Sequence, residues 1–164
     1  MNLIVAVDQN WGIGCDGKLL ASIPEDMAFF RQKTLGKVVV MGRATLQSLP
    51  GGAPLKNRTN IVMSQNPLFK ASGAIVCNNS ETLLKQLKQY SADNIFIIGG
   101  QEIYKLLLPF CKRAYVTKIY KSFSADKHFP NLDLAENWSV AEKSHLKTYN
   151  DTEYTFLTYT NSLP

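Results

Sequence analysis

Cysteine is scarce in this chain and badly placed for structural chemistry. There are three, Cys15, Cys77 and Cys111, and no two stand at the separation a zinc site uses. An odd, scattered set argues against a disulfide framework and leaves a reducing cytoplasm as the expected compartment. Histidine is scarcer: His128 and His145 lie far apart with no HExxH pattern around either, so no metal site is expected. Long hydrophobic runs are missing too. The opening run Leu3-Ile4-Val5-Ala6-Val7 stops at Asp8 with no basic segment ahead of it, and no other run approaches ~20 apolar residues. Neither a secretory leader nor a membrane span is expected. Internal repeats, low-complexity tracts and linkers are absent as well, so residues 1–164 are expected to form one domain.

What is present describes a folded protein. The chain is 45% hydrophobic and 19% charged, a balance that disordered chains do not have. Its formal charge of +5 favours anionic partners without choosing among nucleic acid, phosphorylated cofactors, acidic metabolites and anionic membranes. Short β-rich runs alternate with helical ones. Strands are expected at Leu3 to Asp8, Lys37 to Met41, Asn60 to Met63, Ala74 to Cys77 and Asn94 to Ile98. Helices are expected at Pro24 to Leu35, Arg43 to Leu49, from a cap at Ser80 through Leu83, Leu84, Leu87 and Tyr90, and from Gln101 to Leu108. After Arg113 only strands follow: one through Tyr115, Thr117 and Ile119, one from Trp138 to His145, and one from Glu153 to Thr160 after a turn near Asn150-Asp151. Alternation of this kind implies an α/β fold, a mostly parallel sheet covered by helices and ending in an antiparallel edge.

Gly12-Ile13-Gly14-Cys15-Asp16-Gly17 matches the dinucleotide pattern G-x-G-x-x-G, yet no helix opens on these glycines. Helix-start signals come later, at Ser22, Pro24 and Glu25, where Ser22 and Glu25 have capping-box spacing. A long glycine-hinged loop that acts as a lid is the expected structure here. Asp26 sits in the first turn of the following helix with Phe30 on the same face and Met27 and Phe29 nearby. A carboxylate facing an apolar pocket calls for a cationic or donor-rich ligand and has a raised proton affinity. The alternative is a solvated carboxylate that complements the helix dipole. Glu25 is expected to be the solvated member of the pair. Two strand-to-helix turns, Met41-Gly42-Arg43-Ala44-Thr45 and Ile98-Gly99-Gly100-Gln101, have the make-up of anion sites. Arg58, in a Pro- and Gly-rich loop, either grips a carboxylate bidentately or is an ordinary surface arginine.

Together these segments resemble the dihydrofolate reductase family from about Leu3 to the final strand. The resemblance is carried, in order, by Gly12-Ile-Gly14, Ile23-Pro-Glu-Asp26-Met-Ala-Phe-Phe30, Val40-Met-Gly-Arg43-Ala-Thr45 and Arg58-Thr-Asn-Ile61. It continues through Ile98-Gly-Gly-Gln-Glu-Ile-Tyr104, Tyr115-Val-Thr117 and His128-Phe-Pro130. The family fold is an eight-stranded, mainly parallel sheet with four helices. Its activity is reduction of 7,8-dihydrofolate to tetrahydrofolate with NADPH.

The resemblance implies that Asp26 bonds the 2-amino group and N3 of the pterin, supported by Thr117. It places Ile4, Val5, Met27, Phe30, Leu49, Leu55 and Ile98 around the pterin and aminobenzoyl groups, and Arg58 on the glutamate α-carboxylate. It assigns Gly42, Arg43, Ala44, Thr45, Met63 and Ser64 to the cofactor, with Arg43, Thr45 and Ser64 around its phosphates and Arg43 near the 2′-phosphate. Gly99-Gly100, a cis peptide in the family, would lie beside the pyrophosphate with Gln101, Glu102, Ile103 and Tyr104. Ala6, Ile13, Gly14, Lys18 and Leu19 would border the nicotinamide under the Gly12–Ile23 loop. One matched position departs from the pattern: most members carry Pro-Trp where this chain has Leu20-Ala21. A related pterin or flavin-pathway reductase would lose the glutamate-binding arginine, which Arg58 and Asp26 together argue against. A nucleic-acid module needs a basic stripe with exposed aromatics, whereas Phe and Tyr here fall mostly at core-periodic positions. The expected partners are therefore small molecules, with no nucleic acid and no membrane, and a monomer.

Overall fold

Runs rich in Val and Ile form the centre of the sheet, because β-branched side chains suit strands buried on both faces. The computed structural model describes residues 1–163; Pro164, the last residue of the expected domain, lies outside them. The elements run β1 (Asn2–Val7), β2 (Gly12–Cys15), β3 (Lys18–Leu19), α1 (Pro24–Thr34), β4 (Val38–Gly42), α2 (Arg43–Ser48), β5 (Thr59–Met63) and β6 (Ala74–Cys77). They continue with α3 (Ser80–Leu87), β7 (Ile95–Gly99), α4 (Gln101–Leu107), β8 (Arg113–Ile119), β9 (Lys127–His128), β10 (Trp138–Lys143), β11 (Lys147–Tyr149) and β12 (Thr152–Asn161).

Eight strands lie side by side in the order β10-β12-β8-β1-β7-β4-β5-β6, and the short β11 adds a ninth by pairing with β12. Pairings from β8 through β6 are parallel, and β12 runs antiparallel to β8, β10 and β11. The expected antiparallel edge is thus present. Its turn falls at Asn150 and Asp151, both with positive φ, as a tight hairpin requires. Leu3, Val7, Val40, Ile61 and Ile97 are fully enclosed and join Leu83 and Leu87 of α3 in the main core.

Three local expectations need correction. The Gly12–Ile23 segment is not a plain loop: β2 and β3 form a hairpin that pairs with β9 in a separate three-stranded sheet. Gly12 to Cys15 is strand, so the glycine pattern does not open a helix. Asn79, not Ser80, caps α3, because its side chain accepts from the Thr82 amide while the Thr82 hydroxyl serves the Asn79 amide. Finally, Ile23 occupies the N-cap of α1 and the Ser22–Glu25 capping box does not form. α1 is only weakly amphipathic, and Thr34 is its one buried residue, because much of its apolar surface lines a cleft.

Candidate active site

The parallel strands end together at β1, β4, β5 and β7, and a cleft of about 1610 Å³ opens at their carboxyl ends. Open α/β sheets bind ligands there because the chain leaves each strand end toward opposite sides. One wall is apolar, made by Ile4 and Val5 of β1, Met27 and Phe30 of α1, and Leu49. Asp26 lies among them. The Thr117 hydroxyl, enclosed on β8, donates to Asp26 Oδ1 at 2.6 Å. No other hydrogen bond and no ion pair reaches this carboxylate among the described residues. Burial raises the Asp26 proton affinity above that of an ordinary carboxylate, and the Thr117 bond offsets part of the rise. This is the behaviour expected of a carboxylate held against an apolar wall.

Asp8 also lines the cleft, but its oxygens are spent inside the protein. Oδ1 accepts from the amides of Asn10 and Gly12, each at 2.8 Å, and Oδ2 from the Phe123 amide at 3.0 Å. Asp26 is therefore the acidic side chain with acceptor capacity to offer an incoming molecule at the apolar wall.

The opposite end of the cleft is built from the two glycine turns. Gly99–Gly100 is a cis peptide, and Gly99 has φ of +122°, a conformation that side chains avoid. A Cβ on Gly100 would stand 3.3 Å from Thr45 Oγ1, and one on Gly42 3.2 Å from Ile103 Cγ1. The two turns thus close on each other to separations at which a Cβ would press on its neighbour. α2 and α4 both start here without a side-chain cap, so their first amides remain available as donors. Arg43 and Thr45 stand in the first turn of α2, and Met63, the last residue of β5, and Ser64 after it line the same cleft. Enclosed Tyr104 bonds the Ile4 carbonyl at 2.7 Å and ties α4 to the sheet.

The small sheet forms the third side. Ala6, Ile13, Gly14, Lys18 and Leu19 line the cleft, as do Gln101 and Glu102. The Gln101 side-chain oxygen accepts from the His128 amide at 2.7 Å, linking α4 to β9. Ala21 of the departing Leu20-Ala21 pair packs against the apolar group of Ile23, Ile119 and Tyr154.

Five expected residues do not line the cleft. Thr117 and Gly99 are buried, next to the lining residues Asp26 and Gly100. Leu55 and Ile98 share an apolar cluster with Leu49, which does reach the cleft wall. Arg58 stands near the end of α1, where Nε donates to Thr34 Oγ1 at 3.0 Å and another nitrogen to the Lys56 carbonyl at 2.7 Å. Burial, and after it the like charge of Arg31, lowers its proton affinity. Neither arginine has a carboxylate partner among the described residues. Glu25 is a correction: its carboxylate is half exposed, yet Lys147 and Tyr154 bond it at 2.7 and 2.6 Å. These bonds, led by that from Lys147, lower its proton affinity. Lining residues not anticipated include Asp8, Leu20, Ser48, Gln65 and Lys127. Leu20, Ser48, Gln65 and Lys127 each adjoin a segment or residue already singled out, so adjacency was the available signal.

Comparison with known proteins agrees with this geometry. The family model described as dihydrofolate reductase matches residues 1–161. Dihydrofolate reductase of Bacillus subtilis is 35% identical over 161 residues, covering 97% of this chain and 93% of that one. The Haemophilus influenzae enzyme of that name is 37% identical over 153 residues, covering 93% and 92%. A solved structure of dihydrofolate reductase from Enterococcus faecalis, complexed with NADP(H) and RAB-propyl, superposes with a TM-score of 0.87 at 32% identity. That superposition covers 98% of this chain and 95% of the other. With the matched model running through nearly every element that builds the cleft wall, the chain belongs to the dihydrofolate reductase family.

Proposed function

We propose that this protein is an oxidoreductase that reduces 7,8-dihydrofolate to 5,6,7,8-tetrahydrofolate with NADPH, a step that supplies one-carbon metabolism. Asp26 carries the reading: a carboxylate on an apolar wall, held at one oxygen by Thr117 and otherwise free to accept hydrogen bonds. The pterin offers what such a group lacks, two adjacent donors at N3 and the 2-amino nitrogen on a flat heterocyclic ring whose faces can lie against apolar side chains. Ile4, Val5, Met27, Phe30 and Leu49 enclose the ring system, with Leu55 and Ile98 packed against the same buried cluster as Leu49. Arg58 and the nearby Arg31 lack carboxylate partners among the described residues, which suits Arg58 to the substrate's glutamate α-carboxylate.

The residues at the other end fit a phosphorylated dinucleotide. A Cβ in the glycine turns would press on its neighbours, the uncapped starts of α2 and α4 offer amides, and Arg43 and Thr45 add a cation and a hydroxyl. Gly42, Ala44, Met63, Ser64, Gly100, Gln101, Glu102, Ile103 and Tyr104 complete that binding surface, with Gly99 buried next to Gly100. When bound, NADPH supplies the hydride that pterin C6 receives. Lys18 and Leu19 on the hairpin, with Ala6, Ile13 and Gly14, restrict water around the reacting carbon. Reduction of the N5–C6 double bond also needs a proton on N5. The negative charge of Asp26 stabilises the positive charge that protonation spreads over the pterin, while water delivers the proton.

All of these groups come from one copy of the chain, which supports a single working domain over 1–164 and a monomer. The three unpaired cysteines are consistent with a reducing, cytoplasmic setting. The test is loss of NADPH absorbance when purified protein meets dihydrofolate. Absence of dihydrofolate-dependent oxidation would sink the reading.

A further inference from the structure

The first turn of α1 has no local anchor. Its N-cap residue, Ile23, has no side chain to bond the helix amides. What holds the turn comes from the last strands in chain order. Tyr154 donates to Glu25 Oε2 at 2.6 Å, and Lys147 Nζ donates to Glu25 Oε1 at 2.7 Å. Lys147 and Tyr154 are direct partners in the β11–β12 ladder, so their side chains leave the same face and meet the two oxygens of one carboxylate. On the next strand, Thr117 stands opposite Phe156 and takes Asp26. Three adjoining strands thus grip two consecutive acidic residues. One turn further, Phe29 packs on Phe156 with ring centroids 4.6 Å apart.

We propose that Glu25, Tyr154 and Lys147 form a positioning clamp for Asp26, which fixes the rotation of the first turn of α1 and cancels the negative charge set beside the cleft carboxylate. The inference rests on the role given to Asp26 in the proposed function. Rotation follows from helix geometry: consecutive residues project about 100° apart, so pinning residue 25 to the sheet decides where residue 26 points. Charge follows from the neighbours. Asp26 is faced by Thr117 from β8, Tyr104 from α4 and Tyr154 from β12, with Glu25 on its own helix. Lys147 lies beyond Glu25 on β11, and His145 acts on Glu25 from the preceding segment. Burial holds the protons on both tyrosines, that of Tyr154 with a pKa pushed up to about 12. The field reaching Asp26 from the β11–β12 side therefore turns on the Glu25–Lys147 pair.

Deleting each partner has an opposite sign. Lys147→Met leaves the Glu25 charge unopposed and favours the protonated form of Asp26. Glu25→Gln leaves the Lys147 charge unopposed and favours the ionised form. Carbon-13 NMR titration of the Asp26 carboxyl in the full, ligand-free chain reads this directly. The midpoint is expected to move by about half a pH unit upward in Lys147→Met and downward in Glu25→Gln. Lys147→Arg, which keeps the charge, is expected to stay at the wild-type midpoint, and the double variant Glu25→Gln with Lys147→Met to return near it. Shifts of the same sign in the two single variants, or none in either, overturn the clamp. The functional reading fails separately: full turnover in Asp26→Asn refutes the catalytic role and leaves the titration result standing.

Discussion

Replacing Asp26 with asparagine should cost activity and gain stability, and both magnitudes follow from its surroundings. Asparagine keeps the shape and an oxygen for the Thr117 hydroxyl, now 2.6 Å from Asp26 Oδ1, but removes the charge. A hydrogen bond to a charged acceptor is roughly twice as strong as a neutral one, so about 1 kcal/mol of that bond is lost. Against this stands the cost of holding a carboxylate on an apolar wall. That cost exceeds the benefit of the Thr117 bond, since the proton affinity of Asp26 is raised on balance. The net gain should be on the order of 1 kcal/mol, or roughly 2–4 °C in Tm for a chain of this size.

The pH dependence has a definite sign. The folded protein binds the Asp26 proton more tightly than the unfolded chain, whose value is near 3.8. Wild-type stability therefore falls as pH rises from that value through the higher folded one, and the asparagine variant escapes the fall. Its advantage should be small near pH 4 and complete at neutral pH. Urea unfolding across that range reads the stability. NADPH oxidation with dihydrofolate should show kcat/KM down by about 10²–10³-fold, the usual loss for one electrostatic group in a closed site. A variant less stable than wild type at neutral pH, or one with undiminished turnover, would refute the reasoning.

Thr117→Val removes the hydrogen bond that Thr117 donates to Asp26 and should lower kcat/KM by at least about 10-fold, moving the Asp26-dependent limb of the pH–rate profile to higher pH; an unmoved limb would contradict this. Arg43→Ala should narrow the preference for NADPH over NADH by about 10-fold or more, with the KM for dihydrofolate unchanged. The ratio of kcat/KM for the two cofactors decides that case. Arg58→Ala should raise the KM for dihydrofolate by about 10-fold and leave that for a pterin without a glutamate tail as it was. Equal effects on both would remove Arg58 from the substrate site.

Much of the sheet was readable because its signals are local. Val38 to Met41 and Ile95 to Ile98 are apolar and mostly β-branched, and each ends at a glycine where the chain turns. The pairing of β2 with β9 was not readable, because it joins residues more than a hundred positions apart, whereas the β2–β3 hairpin is local and turns on Asp16 and Gly17, both with positive φ. The same limit explains Glu25. Its spacing from Ser22 suits a capping box, but Lys147 and Tyr154 take both oxygens from the other end of the chain. Asp26, Arg43 and the Gly99–Gly100 turn were legible because each sits at the start of a helix next to a strong pattern. Asp8 was not, since a carboxylate closing the end of β1 looks like any polar residue that ends a strand until its three backbone partners are seen.

The place of β12 in the sheet bears on how the protein is made. It lies between β8 and β10, far from β1 and α1 in chain order yet only one strand removed from β1. A growing chain can therefore assemble β1, β4, β5, β6 and β7 early, but Tyr154 cannot reach Glu25 until synthesis has passed it. Until then α1 is anchored to the sheet through Thr117 alone of these contacts. Synthesis thus completes the support of the cleft carboxylate only once β12 has emerged, and a ribosome-bound chain stalled before β12 would expose the open edge of β8 to other unpaired strands.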